Sequence, residues 1–246
     1  MASDKALAPA RSAGRFGRLI RSARSRGPGY VFYRLARRVA EARYLRNCFK
    51  FCLVEIFSVP VSQLKCSRRI PRAFVVRKAE ERDLPALGAY FSDPQRVRRR
   101  FERRDICVIT LAGDEICAAV WLAIGPKDYR EDWNDLGCVF HFPAGVGWSY
   151  DGKGTRWGAW GALMGRLPEY LKELEIAEVY TLIDCGNRAS QESHKSLGYR
   201  PLGTIGCVGL LGLALRIYRV SGESWQRLPQ QAGKLVFSTR QNATSP

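Results

Sequence analysis

A mixed α/β fold, with a central twisted sheet flanked by helices and some α+β character, is what residues 71–220 predict on three observations. Apolar stretches of strand length, "ICVITL" (106–111), "EICAAVWLAI" (115–124) and "EVYTLID" (178–184), are bounded by turn residues. Segments with apolar residues three and four apart lie between them and predict helices. The resulting order, β-α-α-β-β-β-α-β-α-β-β, is that of a mixed sheet in one domain.

Element by element, "RGPG" at 26–29 ends a basic flexible arm (1–29) and opens an amphipathic helical extension (30–70). Within that extension, Val31/Phe32, Leu35, Val39 and Ala42 face one way and arginines 34, 37, 38, 43 and 46 another, an amphipathic helix. Its apolar stripe can dock on the main domain or lie in a membrane interface. The following "CFKFCLVEIFSVPV" is apolar enough to need cover. "AFVVRKAEERDLPAL" reads as a short strand, a charged turn, and a helix capped by Asp83 with Pro85 in its first turn. "DPQRVRRRFERR" opens the same way, with Asp then Pro. The strands 106–111 and 115–124 flank "AGDE", a tight hairpin turn. An aromatic and acidic loop, "PKDYREDWND", precedes the strand-like "GCVFHF" (137–142). "NRASQESHKSL" predicts a helix with Asn187 as N-cap and Gly198 just past its end. Strand-like material runs through Leu213–Val220, and 221–246 reads as a polar tail.

Composition bounds the classes of function. The 246 residues are 46% hydrophobic and 11% aromatic, which supports a packed core and excludes wholesale disorder. No apolar run reaches about 18 residues, the length that crosses a bilayer as a helix. The net charge of +17 is concentrated at the front: residues 1–50 hold 13 Lys/Arg against Asp4 and Glu41. Such a segment seeks anions, and an anionic membrane surface suits it better than nucleic acid, because few aromatics precede Tyr30 for base stacking. Residues 1–26 are Arg- and Ser-rich, which overlaps a transit-peptide composition, although a solvated basic tail is the preferred reading. Eight cysteines without a CxxC, and only two histidines, argue for free thiols in a reducing cytoplasm and against a metal site.

"DGKGTRWGAWGALMGRLPEYLKELE" (151–175) poses the chemical question. Strand-like residues end near Ser149, the turn reads as Asp151-Gly152-Lys153-Gly154-Thr155, and a helix with Trp157, Trp160, Leu163/Met164, Leu167 and Leu171 on one side follows. A helix start offers unpaired backbone N–H groups and partial positive charge, so such a turn can cradle phosphate. Ordinary loop geometry also uses glycine, and the pattern is neither GxxxxGK[ST] nor GxGxxG. Gly154, Gly158, Gly161 and Gly165 form a stripe that predicts close packing of this helix on the sheet, and Pro168 predicts a kink or break in its last turns.

From about Phe74 to Val220 the chain resembles the GNAT (Gcn5-related) N-acetyltransferases. The turn before the helix, "DGKG", is similar to that family's R-G-x-G-x-G/A turn. "NRASQESHKSLGYRPLG" is similar to its N-x-x-[SA]-x-x-x-[YH]-x-x-x-G-[FY] helix, with Asn187, Ser190, Leu197, Gly198 and Tyr199 in register. The resemblance implies a GNAT-type acyl-CoA acyltransferase fold and transfer of an acyl group, most simply acetyl from acetyl-CoA, to a small-molecule or protein amine. It implies a diphosphate held by Gly152, Lys153, Gly154, Thr155 and Arg156, and Asn187 beside the pantetheine arm. His194 matches the residue that protonates the departing thiolate, and His141 lies near groups that take the amine's proton; either can instead be a structural histidine. Glu131, Asp132 and Asp135 can equally take the amine's proton or bind a cationic substrate, and with Trp133 their loop reads as substrate-facing surface or as an ordinary acidic turn. Asp151 stands where the family has arginine and sets a carboxylate beside the proposed phosphate unless it turns away, onto Lys153 or Arg156; Arg156 replaces a small residue. The alternative function is a catalytically silent scaffold of this fold whose basic arm binds membrane or nucleic acid.

Overall fold

The computed structural model describes residues 28–41, 49–65, 73–130, 136, 138–211, 213–220, 226–227 and 234–236. Residues 1–27 of the arm, and Glu131, Asp132, Trp133 and Asp135 of the acidic loop, lie outside the described residues. The chain forms two units: Met1–Phe51 with Val208–Ala214, and Cys52–Cys207 with Leu215–Pro246.

In the smaller unit, helix α1 spans Pro28–Glu41. It buries Tyr33 against Phe51, with ring centroids 5.8 Å apart, and Arg37 Nη1 donates to the Tyr33 hydroxyl at 3.2 Å. Phe32 and Leu35 stay exposed.

The larger unit is the mixed α/β fold expected. Its strands are β1 (Phe49–Pro60), β2 (Val75–Lys78), β3 (Ile106–Ala112), β4 (Glu115–Ile124), β5 (Lys127–Arg130) and β6 (Val139–Phe142). They continue with β7 (Val146–Gly154), β8 (Glu178–Asp184), β9 (Arg200–Leu210), β10 (Leu213–Val220), β11 (Gln226–Arg227) and β12 (Lys234–Val236). Of these, β1, β9 and β10 also supply residues to the smaller unit. Nine of them form one sheet in the order β11-β10-β9-β1-β8-β7-β4-β3-β2, and β12-β6-β5 form a second. β7 and β8 run parallel, whereas β1–β8, β4–β7, β3–β4 and β2–β3 are antiparallel.

Helices α2 (Leu84–Phe91), α3 (Pro94–Glu102), α4 (Ala159–Glu173) and α5 (Arg188–Ser196) complete the unit. α4 covers one face of the sheet, burying Ala159, Leu163, Met164, Leu167 and Leu171 with Val108, Val120, Val179 and Ile183. Period-two alternation sends Trp121 and Trp148 to the other face. There Trp148 stacks on Phe140 at 4.6 Å and on Phe142 at 5.0 Å. Each such side chain withdrawn from water contributes on the order of 1.5–3 kcal/mol, so the aromatic layer anchors the small sheet.

Several sequence expectations are corrected. Phe49–Pro60 is not part of a helical extension: it is a strand whose Val54–Pro60 pair with Asp184–Glu178. The polar tail contributes short strands: Gln226–Arg227 pair with Tyr218–Ile217, and Lys234–Val236 with Val139–His141. Asp83 caps backward: its carboxylate accepts from the Glu80 N–H at 2.8 Å and pairs with Arg77, and makes no side-chain cap to α2. Asp93 and Asn187 cap as expected, accepting from Arg96 N at 2.9 Å and Ser190 N at 3.2 Å. α4 is continuous through Pro168, and the glycine stripe dissolves: Gly154 is strand, Gly158 is the N-cap at φ 81°, Gly161 has open space beside it, and Gly165 is buried.

Candidate active site

The sheet opens where two parallel strands part. β7 and β8 pair from Val146–Ser149 against Glu178–Thr181, and the ladder stops there although both strands continue. β7 instead stays on β4, with Trp121 opposite Tyr150 and Ala119 opposite Lys153, so β7 carries one extra residue in this interval. That is a β-bulge, which bends its strand. Asp151 takes φ 50° within it, a left-handed conformation that aspartate tolerates better than most residues. The wedge beyond Ser149 and Thr181 is a cavity of about 460 Å³. Ser149–Gly152 and Gly154 line one wall and Thr181–Asp184 the other; Trp160, Met164 and Leu167 of α4 and Ser190, Ser193 and His194 of α5 close it.

The Gly-Lys-Gly segment is therefore not a turn at a helix mouth. It is the end of β7, and the connection to α4 is Thr155–Gly158. Gly152 and Gly154 border the cavity, and Trp160, also on its wall, occupies the space that a side chain at either position would need. A Cβ on Gly152 would fall 2.6 Å from Trp160 Cη2, and one on Gly154 3.3 Å from Trp160 Cβ. Lys153 points to the opposite face: its Nζ donates to Tyr90 O at 2.9 Å and sits 4.7 Å from the Tyr90 ring centroid. Thr155 N and Oγ1 both donate to Cys117 O, at 2.8 and 3.1 Å, and Arg156 is exposed. Of the five residues expected to hold a diphosphate, then, only Thr155 and Arg156 belong to the connection before α4.

Asp151 turns away from the cavity, toward partners that its sequence neighbourhood does not show. Its carboxylate is bound by Arg96 and, at 2.6 Å, by Arg100 Nη2. Arg96 and Arg100 are one turn apart on α3, so both reach the same oxygen. Arg100 is 1% exposed, and its Nε and Nη1 find no acceptor among the described residues. The faces of Tyr150 and Trp121, 4.8 and 5.2 Å from the guanidinium, surround it instead. Beside it, the Tyr150 hydroxyl donates to buried Asp105 at 2.7 Å, and Lys127 and Arg103 also bind Asp105. Burial first, and the Asp105 charge second, raise the Tyr150 phenol well above its ordinary value, so it stays protonated and keeps donating. Two ionic clusters, one built on buried Arg100 and the other on buried Asp105, thus hold consecutive residues of the bulge.

His194 lines the cavity and His141 does not. The His194 Nδ1 lies 2.8 Å from Ser190 O, an acceptor only, so Nδ1 carries the proton and Nε2 keeps its lone pair. Burial pushes the imidazole below its ordinary 6.5, partly offset by that carbonyl, and the ring is neutral at pH 7. Its ring and that of Tyr199 pack edge to face, with centroids 5.0 Å apart. A neutral ring with a free Nε2 accepts a proton more readily than it gives one, the reverse of the role implied by the family resemblance. Asn187 reaches the cavity wall with Oδ1 committed to capping α5. His141 sits half-exposed on β6, its Nδ1 2.8 Å from Asp128, and is neither a core histidine nor a neighbour of the cavity. Trp160 and Thr181, by contrast, are cavity residues that the sequence marks only as helix stripe and strand interior.

No family model and no curated protein matches the chain. Solved structures resemble it. The GCN5-related glucosamine N-acetyltransferase region of a fungal multi-domain GH3 β-N-acetylglucosaminidase is 14% identical, with TM-score 0.49 over 70% of this chain and 22% of that one. A functionally unknown conserved protein from Staphylococcus epidermidis is 10% identical, with TM-score 0.48 over 71% of this chain and 66% of that one. A GCN5-related N-acetyltransferase from Kribbella flavida is 15% identical, with TM-score 0.45 over 76% of this chain and 65% of that one. The chain spans less than two thirds of each. These likenesses are of chain path, and none carries an assignment of activity.

Proposed function

We propose that the chain transfers an acyl group from an acyl-CoA thioester to an amine. The observation that carries this reading is the wedge between β7 and β8 with a neutral histidine on its wall. Past Ser149 and Thr181 the two strands no longer pair with each other, and an extended ligand that carries amides can complete such edges by main-chain hydrogen bonds. Pantetheine is such a ligand. The N–H groups at the start of α4, reached through Thr155, Arg156 and Trp157, suit a diphosphate, with Arg156 adding charge. The pairing of Asp151 with Arg96 and Arg100 removes the repulsion that a carboxylate would otherwise exert there. A bound thioester supplies an activated acyl carbon. His194 Nε2 takes the proton that the attacking amine releases and holds it as imidazolium, ready to return it to the leaving sulfur.

Adding acetyl-CoA to the full chain tests this reading. At a ligand concentration a hundredfold above Kd, mass action adds about 2.7 kcal/mol, which raises Tm by roughly 5–10 °C in a chain of this size. Gly154→Glu, which puts a carboxylate on the cavity wall, should abolish the shift. Thiol release with a panel of amines then identifies the acceptor. No shift at millimolar acetyl-CoA, or an equal shift in the variant, would overturn the assignment.

A further inference from the structure

The smaller unit combines an apolar surface with the chain's densest positive charge. Where β9 turns into β10, Val208, Leu210, Leu211 and Leu213 are 38, 59, 75 and 80% exposed. Gly209 between them is buried, so Val208 and Leu210 share the open face of β9, and Leu211 takes φ 49° at the head of the connection. α1, in the same unit, leaves Phe32 69% and Leu35 45% exposed while burying Tyr33. A hairpin end that gathers exposed Val208, Leu210, Leu211 and Leu213 within six residues is costly in water, and apolar side chains clustered in this way mark an interaction site. Arg34 and Arg38 of α1 are exposed, and residues 1–50 carry 13 basic side chains against two acids.

We propose that this unit docks on an anionic lipid surface, with Leu210, Leu211 and Leu213 entering the boundary between headgroups and acyl chains and the arginines meeting lipid phosphates. The charge selects an anionic partner, and the leucines select among anions. Nucleic acid offers phosphate to the arginines but nothing to an aliphatic hairpin tip, since bases are read by hydrogen bonds and by stacking on planar groups. A bilayer offers both an apolar layer and an anionic rim. No helix among the described residues is long and apolar enough to cross a membrane, which fits attachment at one face. This inference stands apart from the acyl-transfer reading.

The test is co-sedimentation of the full chain with vesicles of phosphatidylcholine alone and of phosphatidylcholine with phosphatidylglycerol, at low and high salt. Binding to the anionic vesicles alone is expected. It should weaken at least tenfold in the double variant Leu211→Asp/Leu213→Asp and severalfold in Arg34→Gln/Arg38→Gln, with far-ultraviolet circular dichroism and Tm unchanged in both. A chain that ignores anionic vesicles, or a leucine variant that binds them as well as the parent, overturns the proposal. So does a parent that is dimeric in solution, becomes monomeric in the leucine variant and leaves vesicles unbound, which would assign the patch to a second copy. Binding to duplex DNA that is tighter than binding to vesicles, and indifferent to the leucine changes, overturns it in favour of nucleic acid.

Discussion

Because burial holds the His194 imidazole below its ordinary 6.5, the unfolded chain binds its proton at a higher pH than the folded one. Between those two values stability therefore rises with pH; the contribution is complete above about 6.5 and is lost on acidification. Tm measured from about pH 5 to about pH 8 should fall on the acid side, and His194→Gln, which cannot titrate, should flatten that part of the profile. The same sign governs catalysis. A base with a lowered pKa is active across neutral pH, so kcat/KM should climb with pH below about 6.5 and then level. His194→Gln should lower kcat by about 10²–10⁴; a variant with undiminished kcat removes the histidine from the chemistry. Asp151 makes a different prediction. Asp151→Asn leaves the guanidinium of Arg100, 1% exposed, without its counter-charge, a loss of about 3–5 kcal/mol for a broken buried pair. Arg96 is 27% exposed at its side chain, and Arg96→Gln should cost about 1 kcal/mol or less. Urea unfolding of the two variants separates these outcomes, and equal effects would contradict the buried-pair account.

At the scale of elements, the end of β7 decides whether the wedge exists. Its bulge is held by Asp151 on α3 and by Tyr150 on Asp105, and Trp160 of α4 lies against Gly152. Gly152→Val would drive a side chain into that indole, so it should destabilise by roughly 1–3 kcal/mol and weaken ligand binding together with stability. Asn187→Ala removes the α5 cap for about 1 kcal/mol; a thermal melt checks both. The same elements show where sequence is legible. Glu115–Ile124 and Glu178–Asp184 have the expected bounds because continuous apolar runs between turn residues have one low-energy outcome in a packed sheet. Asn187 and Asp93 are read as caps because capping is local. The Gly-Lys-Gly segment misleads because its glycines answer to Trp160, a tertiary neighbour, rather than to a turn. Phe49–Pro60 misleads because its place between β8 and β9 is set by partners more than a hundred residues away. His194 was visible as a candidate from its helix, but the direction of its proton transfer follows from the Ser190 carbonyl and from burial, which no motif records.

For the whole molecule, the uneven charge and the wedge make separable claims. Removing residues 1–27 takes away positive charge with no effect expected on the cavity, so acyl-CoA binding should persist while vesicle binding weakens and becomes less sensitive to salt, with Arg34 and Arg38 still in place. Parallel vesicle and acetyl-CoA titrations of the truncated chain check this, and loss of both activities together would tie the arm to the active site. The central claim concerns the peptide edges of two diverging strands, and a structure of the chain with CoA bound tests it most directly. The account predicts the pantetheine arm lying between residues 150–154 and 182–184, the diphosphate at residues 155–158, and Asp151 still on Arg100. CoA bound elsewhere, or a wedge filled by protein while CoA stays in solution, would contradict it.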